Sequence, residues 1–69
     1  MNYKNLIWYI DSFINDSGIA VYSFCKINEI PRPTYYAWRS GRVKLSRERA
    51  LSINEYLGRF GYECPELKP

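Results

Sequence analysis

The sequence predicts an all-α fold, a compact domain of four helices or of five. Apolar side chains recur at the helical period in several segments, and no segment alternates with period two for long enough to predict a strand. Proline and glycine divide the chain at intervals that suit short helices. The 69 residues correspond to one small domain. Because so short a chain buries only about 60% of its unfolded surface, each large apolar side chain matters to the core.

The first predicted helix covers residues 2–16. Asn2 is expected to cap its start, and Ser17-Gly18 to end it. Trp8 falls on the face opposite the apolar stripe, where the C-terminal residues would cover it or an interface would use it. The stripe follows i, i+3, i+4, i+7 spacing and consists of Tyr3, Leu6, Ile7, Ile10, Phe13 and Ile14.

The second and third predicted helices are separated by a very short link. The second covers residues 20–28, and the third opens at Pro31 and runs to Ser40, with Gly41 in the left-handed position that ends a helix. The link of residues 29–31 forces a tight helix–turn–helix corner. Cys25 lies in the apolar pattern of the second helix and is expected to be buried and unreactive.

The fourth predicted helix begins after Ser46, a good N-cap, and has Glu48 in its first turn. It is expected to run to Phe60, with Gly61 ending it. One face carries Ala50, Ile53, Leu57 and Phe60. Residues 61–69 are interpreted as a C-terminal tail, where the Cys64 side chain could be exposed to solvent.

The composition argues against an enzyme. The chain has no histidine and only two widely separated cysteines, which argues against most metal sites, histidine-based catalysis and a disulfide scaffold. It also lacks a carboxylate pair at useful spacing, so we expect no catalytic residue, metal or cofactor. The N-terminal apolar run, residues 6–10, is too short for a signal peptide or a membrane span. We therefore expect a cytoplasmic protein.

The positive charge is concentrated in residues 31–49, here called the basic segment. It holds six arginines and lysines against one glutamate, a net charge of +5 within a chain of net charge +3. A field of one sign attracts a polyanion such as DNA. The alternative is a solvated loop that happens to carry arginines.

The third helix has two faces of different character on a helical wheel. One face carries Thr34, Tyr35 and Trp38 and is expected to pack in the core. The other face carries Arg32, Pro33, Tyr36 and Ser40 and is expected to be exposed to solvent. Arginine can bind guanine through two hydrogen bonds, and tyrosine or proline can pack on a thymine methyl group. The alternative is that neither residue binds DNA: Tyr36 is then an ordinary surface residue, and Pro33 only starts the helix.

The segment Val21–Gly41 has the sequence VYSFCKINEIPRPTYYAWRSG, which resembles the helix–turn–helix of the lambda-repressor/Cro-like (XRE-type) family. The likeness spans about residues 3–60. It includes Phe24 followed by Cys25, then Ile30 after the turn, and Tyr35 and Trp38 as the buried residues of the recognition helix. The chain departs from the family pattern at two positions. Glu29 replaces the turn glycine and must accept a positive φ or a reshaped turn. Val21 replaces a polar phosphate-binding residue, a role that Tyr22 or Ser23 could take, or that the amides at the helix N-terminus could fill alone.

The resemblance implies a lambda-repressor-like DNA-binding domain over residues 1–60, with the helix–turn–helix at about residues 20–41. It implies that base edges are contacted by Arg32, Pro33, Tyr36 and Ala37. It further implies that DNA phosphates are bound by Tyr22, Arg39, Ser40, Arg42, Lys44, Ser46 and Arg47. Family members dimerise on palindromic sites. The candidate dimer residues are apolar or aromatic side chains with no assigned place in the core. They are Trp8 and Leu51 on the helices, and Tyr62 and Leu67 in the tail.

These features predict a sequence-specific transcriptional regulator of double-stranded DNA. The expected protein is a homodimeric, Cro-like repressor of a phage or mobile element, acting by operator occupancy in a bacterial nucleoid or infected host cytoplasm. No membrane and no small-molecule ligand is expected. In one alternative the tail covers Trp8 or Leu51 and the protein is a monomer. In another, the scaffold is a protein-interaction module: an antitoxin, an antirepressor or an inhibitor of another nucleic-acid machine.

Overall fold

The computed structural model describes residues 3–67, and within this range it contains helices and no strand. The all-α class is thereby confirmed. The elements are the α-helices α1 (Lys4–Ser17), α2 (Val21–Ile27), α3 (Arg32–Arg39) and α4 (Arg47–Gly58), followed by a 3₁₀ turn at Pro65–Leu67. The proposed cap at Asn2 lies outside the described residues. None of the helices in the described range is both long and apolar enough to cross a membrane.

The helix ends follow the local chemistry that the sequence predicts. Gly18 ends α1 in the left-handed conformation, with φ 74°, and donates its N–H to the Ile14 carbonyl. Gly41 has φ 83° just after α3. The Ser46 hydroxyl caps α4 by accepting the Arg49 backbone N–H at 3.1 Å.

The core forms where α1 packs against α4, with α2 and α3 closing its side. Side chains from every element contribute to it. Those nearly or fully buried are Leu6, Ile10, Phe13, Phe24, Cys25, Ile30, Tyr35, Trp38, Leu45, Ala50, Ile53, Leu57, Cys64 and Leu67. The predicted stripe of α1 therefore faces inward, and the expectation that Cys25 is buried is confirmed.

Phe13 is the centre of an aromatic cluster that joins α1 to α2 and α4. Its ring lies 6.3 Å from Phe24, 5.7 Å from both Tyr56 and Tyr62, and 5.1 Å from Phe60. The prediction that Phe60 belongs to the inward face of α4 is wrong. The helix ends at Gly58, so Phe60 follows a turn and lies half-exposed over the edge of the cluster.

Residues 61–67 pack on the core, and the expectation of an exposed Cys64 is wrong. Cys64 is only 2% exposed and Leu67 only 5%. The reason is Asn54, a buried amide on α4 that donates to the Cys64 carbonyl at 3.2 Å and accepts the Cys64 N–H at 2.6 Å. These two hydrogen bonds hold this part of the chain against α4.

Candidate nucleic-acid interface

The link between α2 and α3 is short and closely hydrogen-bonded. Glu29 adopts φ 57°, so a non-glycine residue does occupy the left-handed turn position. The Ile30 N–H donates to the Cys25 carbonyl at 2.9 Å, and the buried Ile30 side chain anchors the link in the core. The Arg49 guanidinium donates to the Glu29 carbonyl at 3.1 Å. Sequence reasoning missed this role of Arg49, because the contact joins α4 to a turn 20 residues away.

Two aromatic anchors set the orientation of α3. Tyr35 is fully buried and Trp38 is 5% exposed, as the helical wheel predicts. Pro33 sits in the first turn, where a missing N–H costs no helical hydrogen bond. Burial of one face turns the other face to solvent, so the N-terminal end of α3 presents an open surface.

The open face of α3 carries three of the four predicted base-reading residues. Arg32, Pro33 and Tyr36 are exposed, and Tyr36 is 51% exposed. Ala37, the fourth, is half-buried at the flank, and its carbonyl accepts the Ser40 hydroxyl at 3.0 Å. Arg32 and Tyr36 are one turn apart on the helix and are therefore neighbours on its surface.

Arg32 lies over the ring of Tyr22, with 5.1 Å from its guanidinium carbon to the ring centroid. This separation is within the range of a cation–π interaction. The contact connects the first turn of α2 to the first residue of α3. It joins a predicted phosphate-binding residue to a predicted base-reading residue, a pairing that sequence spacing does not indicate.

Arg39, predicted to bind phosphate, forms a salt bridge with Asp11 of α1. Its Nη2 atom lies 2.8 Å from the Asp11 Oδ2 atom, and both side chains are partly exposed. The guanidinium also lies 5.8 Å from the centroid of the Tyr35 ring. Part of the positive charge at the end of α3 is therefore balanced within the fold.

The loop after α3 is held by backbone and side-chain hydrogen bonds. The Arg42 N–H donates to the Ala37 carbonyl at 2.9 Å, and the Arg42 Nε donates to the Ser40 hydroxyl at 3.1 Å. The Leu45 side chain inserts into the core, while Lys44 stays exposed. The structure thus brings Ser40 and Arg42 together and leaves the Lys44 side chain pointing away from the core.

Lys44 also borders a groove of about 560 Å³ between this loop and the start of α1. Lys4, Ile7 and Trp38 also line this groove. At the start of α4, Ser46 is engaged in capping and Arg47 is exposed in the first turn. The basic residues of the loop and of the start of α4 thus lie among exposed residues, 41–44 and 46–48, on either side of the buried Leu45.

The four candidate dimer residues differ widely in exposure. Trp8 is 62% exposed and lines a surface groove of about 440 Å³ beside Tyr9 and Pro65. Leu51 and Tyr62 are half-buried against the core. Leu67 is buried within its own chain, so it is not open to a partner in this fold. The C-terminal segment therefore folds back but leaves Trp8 largely uncovered.

Burial raises the pKa of the Cys25 thiol, an effect that the nearby Arg32 partly opposes. Burial likewise raises the pKa of the Tyr35 phenol, against an opposing effect of Arg39. Both groups are thus held in their neutral, protonated forms. Within residues 3–67, no group of three histidine, cysteine, aspartate or glutamate side chains is placed to hold a metal ion.

Comparison with known protein families, with curated proteins and with solved structures gives no match for this chain.

Proposed function

We propose that this protein is a sequence-specific double-stranded DNA-binding regulator that places α3 in the major groove and acts as a Cro-like repressor by occupying its operator. The observation that carries the proposal is the exposed N-terminal face of α3, where Arg32, Pro33 and Tyr36 stand opposite the buried Tyr35 and Trp38. Arginine and tyrosine are side chains that read guanine and contact thymine in the major groove.

The dimensions of α3 suit this role. The major groove, about 12 Å wide, admits an α-helix, whose diameter with side chains is about 10–12 Å. The eight residues of α3 provide about 12 Å of helix to lie in it. The exposed cations Arg42, Lys44 and Arg47 follow directly along the chain. They would bind phosphates on either side of the groove, and such contacts position a protein on DNA without reading sequence.

We propose further that the protein binds palindromic operators as a homodimer. The described residues extend 28 Å along their longest axis. Half-sites one helical turn apart are separated by about 34–36 Å, so two copies can occupy them side by side. Trp8, at 62% exposed, is the strongest remaining candidate for the contact between copies. The cytoplasm of a bacterial or phage-infected cell is the compartment in which this activity would operate.

The test is selection of bound duplexes from a random pool at physiological salt. We expect a palindromic sequence to be enriched, with half-sites about one turn apart. Arg32→Ala should lose preference at specific base pairs in each half-site. Arg59→Ala, an exposed cation outside the basic segment, is the matched control and should enrich the same sequence. Weak, salt-sensitive binding without enrichment would contradict the proposal.

A protein-interaction module is the second candidate, and the exposure of Trp8 beside a surface groove favours it. Large exposed aromatic side chains are enriched at protein interfaces. If Trp8→Ala abolishes the enrichment of palindromes but preserves that of single half-sites, Trp8 serves the dimer. If no duplex is enriched with the unmodified chain, the interaction module becomes the better account.

A further inference from the structure

Arg32 occupies a position that helix energetics disfavour. It is the first residue of α3, and the first turn of this helix contains no acidic side chain and no side-chain cap. The positive end of the helix dipole repels a cation placed there. A residue that breaks a local stability rule is expected at a functional site. Arg32 is therefore not explained by the stability of α3.

The ring of Tyr22 provides a contact for Arg32 at this unfavourable position. The guanidinium lies 5.1 Å from the ring centroid, and Tyr22 is 54% exposed, so the pair lies at the surface. An arginine side chain has many rotamers, and a binding site that holds it in place reduces the entropy lost on association. Stacking on a ring leaves the edge of the guanidinium, with its N–H donors, available.

We infer that Tyr22 is a positioning residue that holds Arg32 over its ring and so determines how strictly Arg32 reads a guanine. This inference rests on the proposed DNA-binding function. It replaces the expectation that the Tyr22 hydroxyl binds a phosphate. The two roles use different parts of the side chain: positioning needs the aromatic face, and phosphate binding needs the hydroxyl group.

Two substitutions separate these roles. Tyr22→Phe keeps the ring and removes the hydroxyl, whereas Tyr22→Leu removes the ring. Phe60→Leu is a matched control, since Phe60 is 52% exposed and contacts Phe13 and Tyr56 away from Arg32. Each variant is measured on the duplex enriched from the random pool and on the same duplex with single base pairs replaced.

Arg32→Ala should reduce discrimination at the guanine that it reads by roughly 5- to 150-fold. Tyr22→Leu should reduce discrimination at that same base pair by about two- to fivefold, the effect of losing an exposed cation–π contact. Tyr22→Phe and Phe60→Leu should keep it. In the Arg32→Ala background, Tyr22→Leu should add nothing, because the residue that it positions is gone.

A second measurement requires no DNA. In the free protein, the ring current of Tyr22 should shift the NMR signals of the Arg32 side-chain protons. The shift should persist in Tyr22→Phe and disappear in Tyr22→Leu. The thermal unfolding midpoint of each variant shows whether a loss of fold accounts for the result.

The possible failures are distinguishable. If the pool enriches a sequence but Tyr22→Leu keeps full discrimination, or if Tyr22→Phe weakens binding to all duplexes alike, the inference is wrong and the proposed function stands. If the ring-current shift is present but no sequence is enriched, the proposed function fails and the inference about guanine reading fails with it.

Discussion

At the scale of single residues, Asn54 is a buried polar side chain that connects two parts of the fold. It is 5% exposed in the core, and a buried amide without partners is costly. Both its donor and its acceptor are satisfied by the backbone of Cys64. One side chain thus joins α4 to the C-terminal segment and allows Leu67 to be buried.

Asn54→Ala is expected to lower the free energy of unfolding by about 1–3 kcal/mol, because it leaves the buried Cys64 N–H without a partner. The Cys64 carbonyl loses one of its two hydrogen bonds and keeps the one from the Leu67 N–H. Urea denaturation measures the change. Ser52→Ala, an exposed position on the same helix, should change stability by less than about 0.5 kcal/mol. Equal effects of the two substitutions would contradict the role assigned to Asn54.

The hydroxyl group of Tyr35 is buried without a hydrogen-bond partner among residues 3–67. Because this group exchanges its hydration for no more than a weak interaction with the Arg39 guanidinium, Tyr35→Phe should leave stability unchanged or raise it by up to about 1 kcal/mol. Thermal and urea unfolding test this expectation. A loss of more than about 1 kcal/mol would show that the hydroxyl finds a partner in solution.

At the scale of elements, the corner between α2 and α3 depends on contacts from outside the helix–turn–helix. The turn carries the strained backbone of Glu29, and Arg49 of α4 binds the Glu29 carbonyl. At its far end, α3 is tied to α1 by the salt bridge between Arg39 and Asp11. The orientation of α3 is therefore set jointly by α1, α2 and α4.

Glu29→Gly should raise the free energy of unfolding by about 0.5–1 kcal/mol. Glycine removes the left-handed strain, which costs about 1–2 kcal/mol, at the expense of greater backbone entropy in the unfolded chain. Glu29→Asn should be close to neutral, and Glu29→Val clearly destabilising, since a β-branched residue tolerates a positive φ poorly. Chemical denaturation of the three variants gives the order, and the reverse order would contradict the strain at this turn.

At the scale of the whole molecule, the fold redistributes the charge of the basic segment. Six cations stand in residues 31–49, but Arg39 is paired with Asp11 and Arg49 is directed to the Glu29 carbonyl. Under the proposed function, the exposed cations of the α3–α4 loop and its flanks would supply most of the field that attracts DNA. This division predicts which substitutions change the salt dependence of binding.

Lys44→Ala should weaken binding to all duplexes alike and reduce the slope of log K against log salt by about one unit. The reason is the loss of one phosphate contact and the counterion that it releases. Titrations of cognate and random duplexes at several salt concentrations measure both quantities. Arg59→Ala serves as the control, and a loss confined to the cognate duplex would assign Lys44 to base reading instead.

Stability should fall at alkaline pH. Burial raises the pKa of Cys25 and of Tyr35, and a hydrogen bond to Asp16 raises the pKa of Tyr62. A raised pKa means that the fold favours the protonated form, so this stabilisation is complete below about pH 8.5 and is lost as the pH rises past the shifted values.

The unfolding midpoint should change little between pH 6 and 8, where the chain has no histidine to titrate, and decline above about pH 9. Tyr62→Phe should make the decline less steep, because its ring cannot ionise. Thermal scans from pH 6 to 11 test this, and a midpoint that rises with alkaline pH would contradict the assigned directions.

Much of the fold follows from local patterns in the sequence. The α1 stripe, the Gly18 and Gly41 ends, the Ser46 cap and the burial of Tyr35 and Trp38 each depend on periodicity or on local hydrogen bonding. The last turn of α4 and the path of residues 61–67 do not follow from such patterns. Their positions depend on Asn54 and on contacts with α1, which no local pattern records.

The candidate site divides in the same way. The sequence alone places Arg32, Pro33 and Tyr36 on the outer face of α3, because successive helical residues are 100° apart around the axis. The packing of the helices is needed to show that Tyr22 lies under Arg32, that Asp11 balances Arg39 and that Leu67 belongs to the core. Each of these contacts joins residues that are distant along the chain, and only the packing of the helices brings them together.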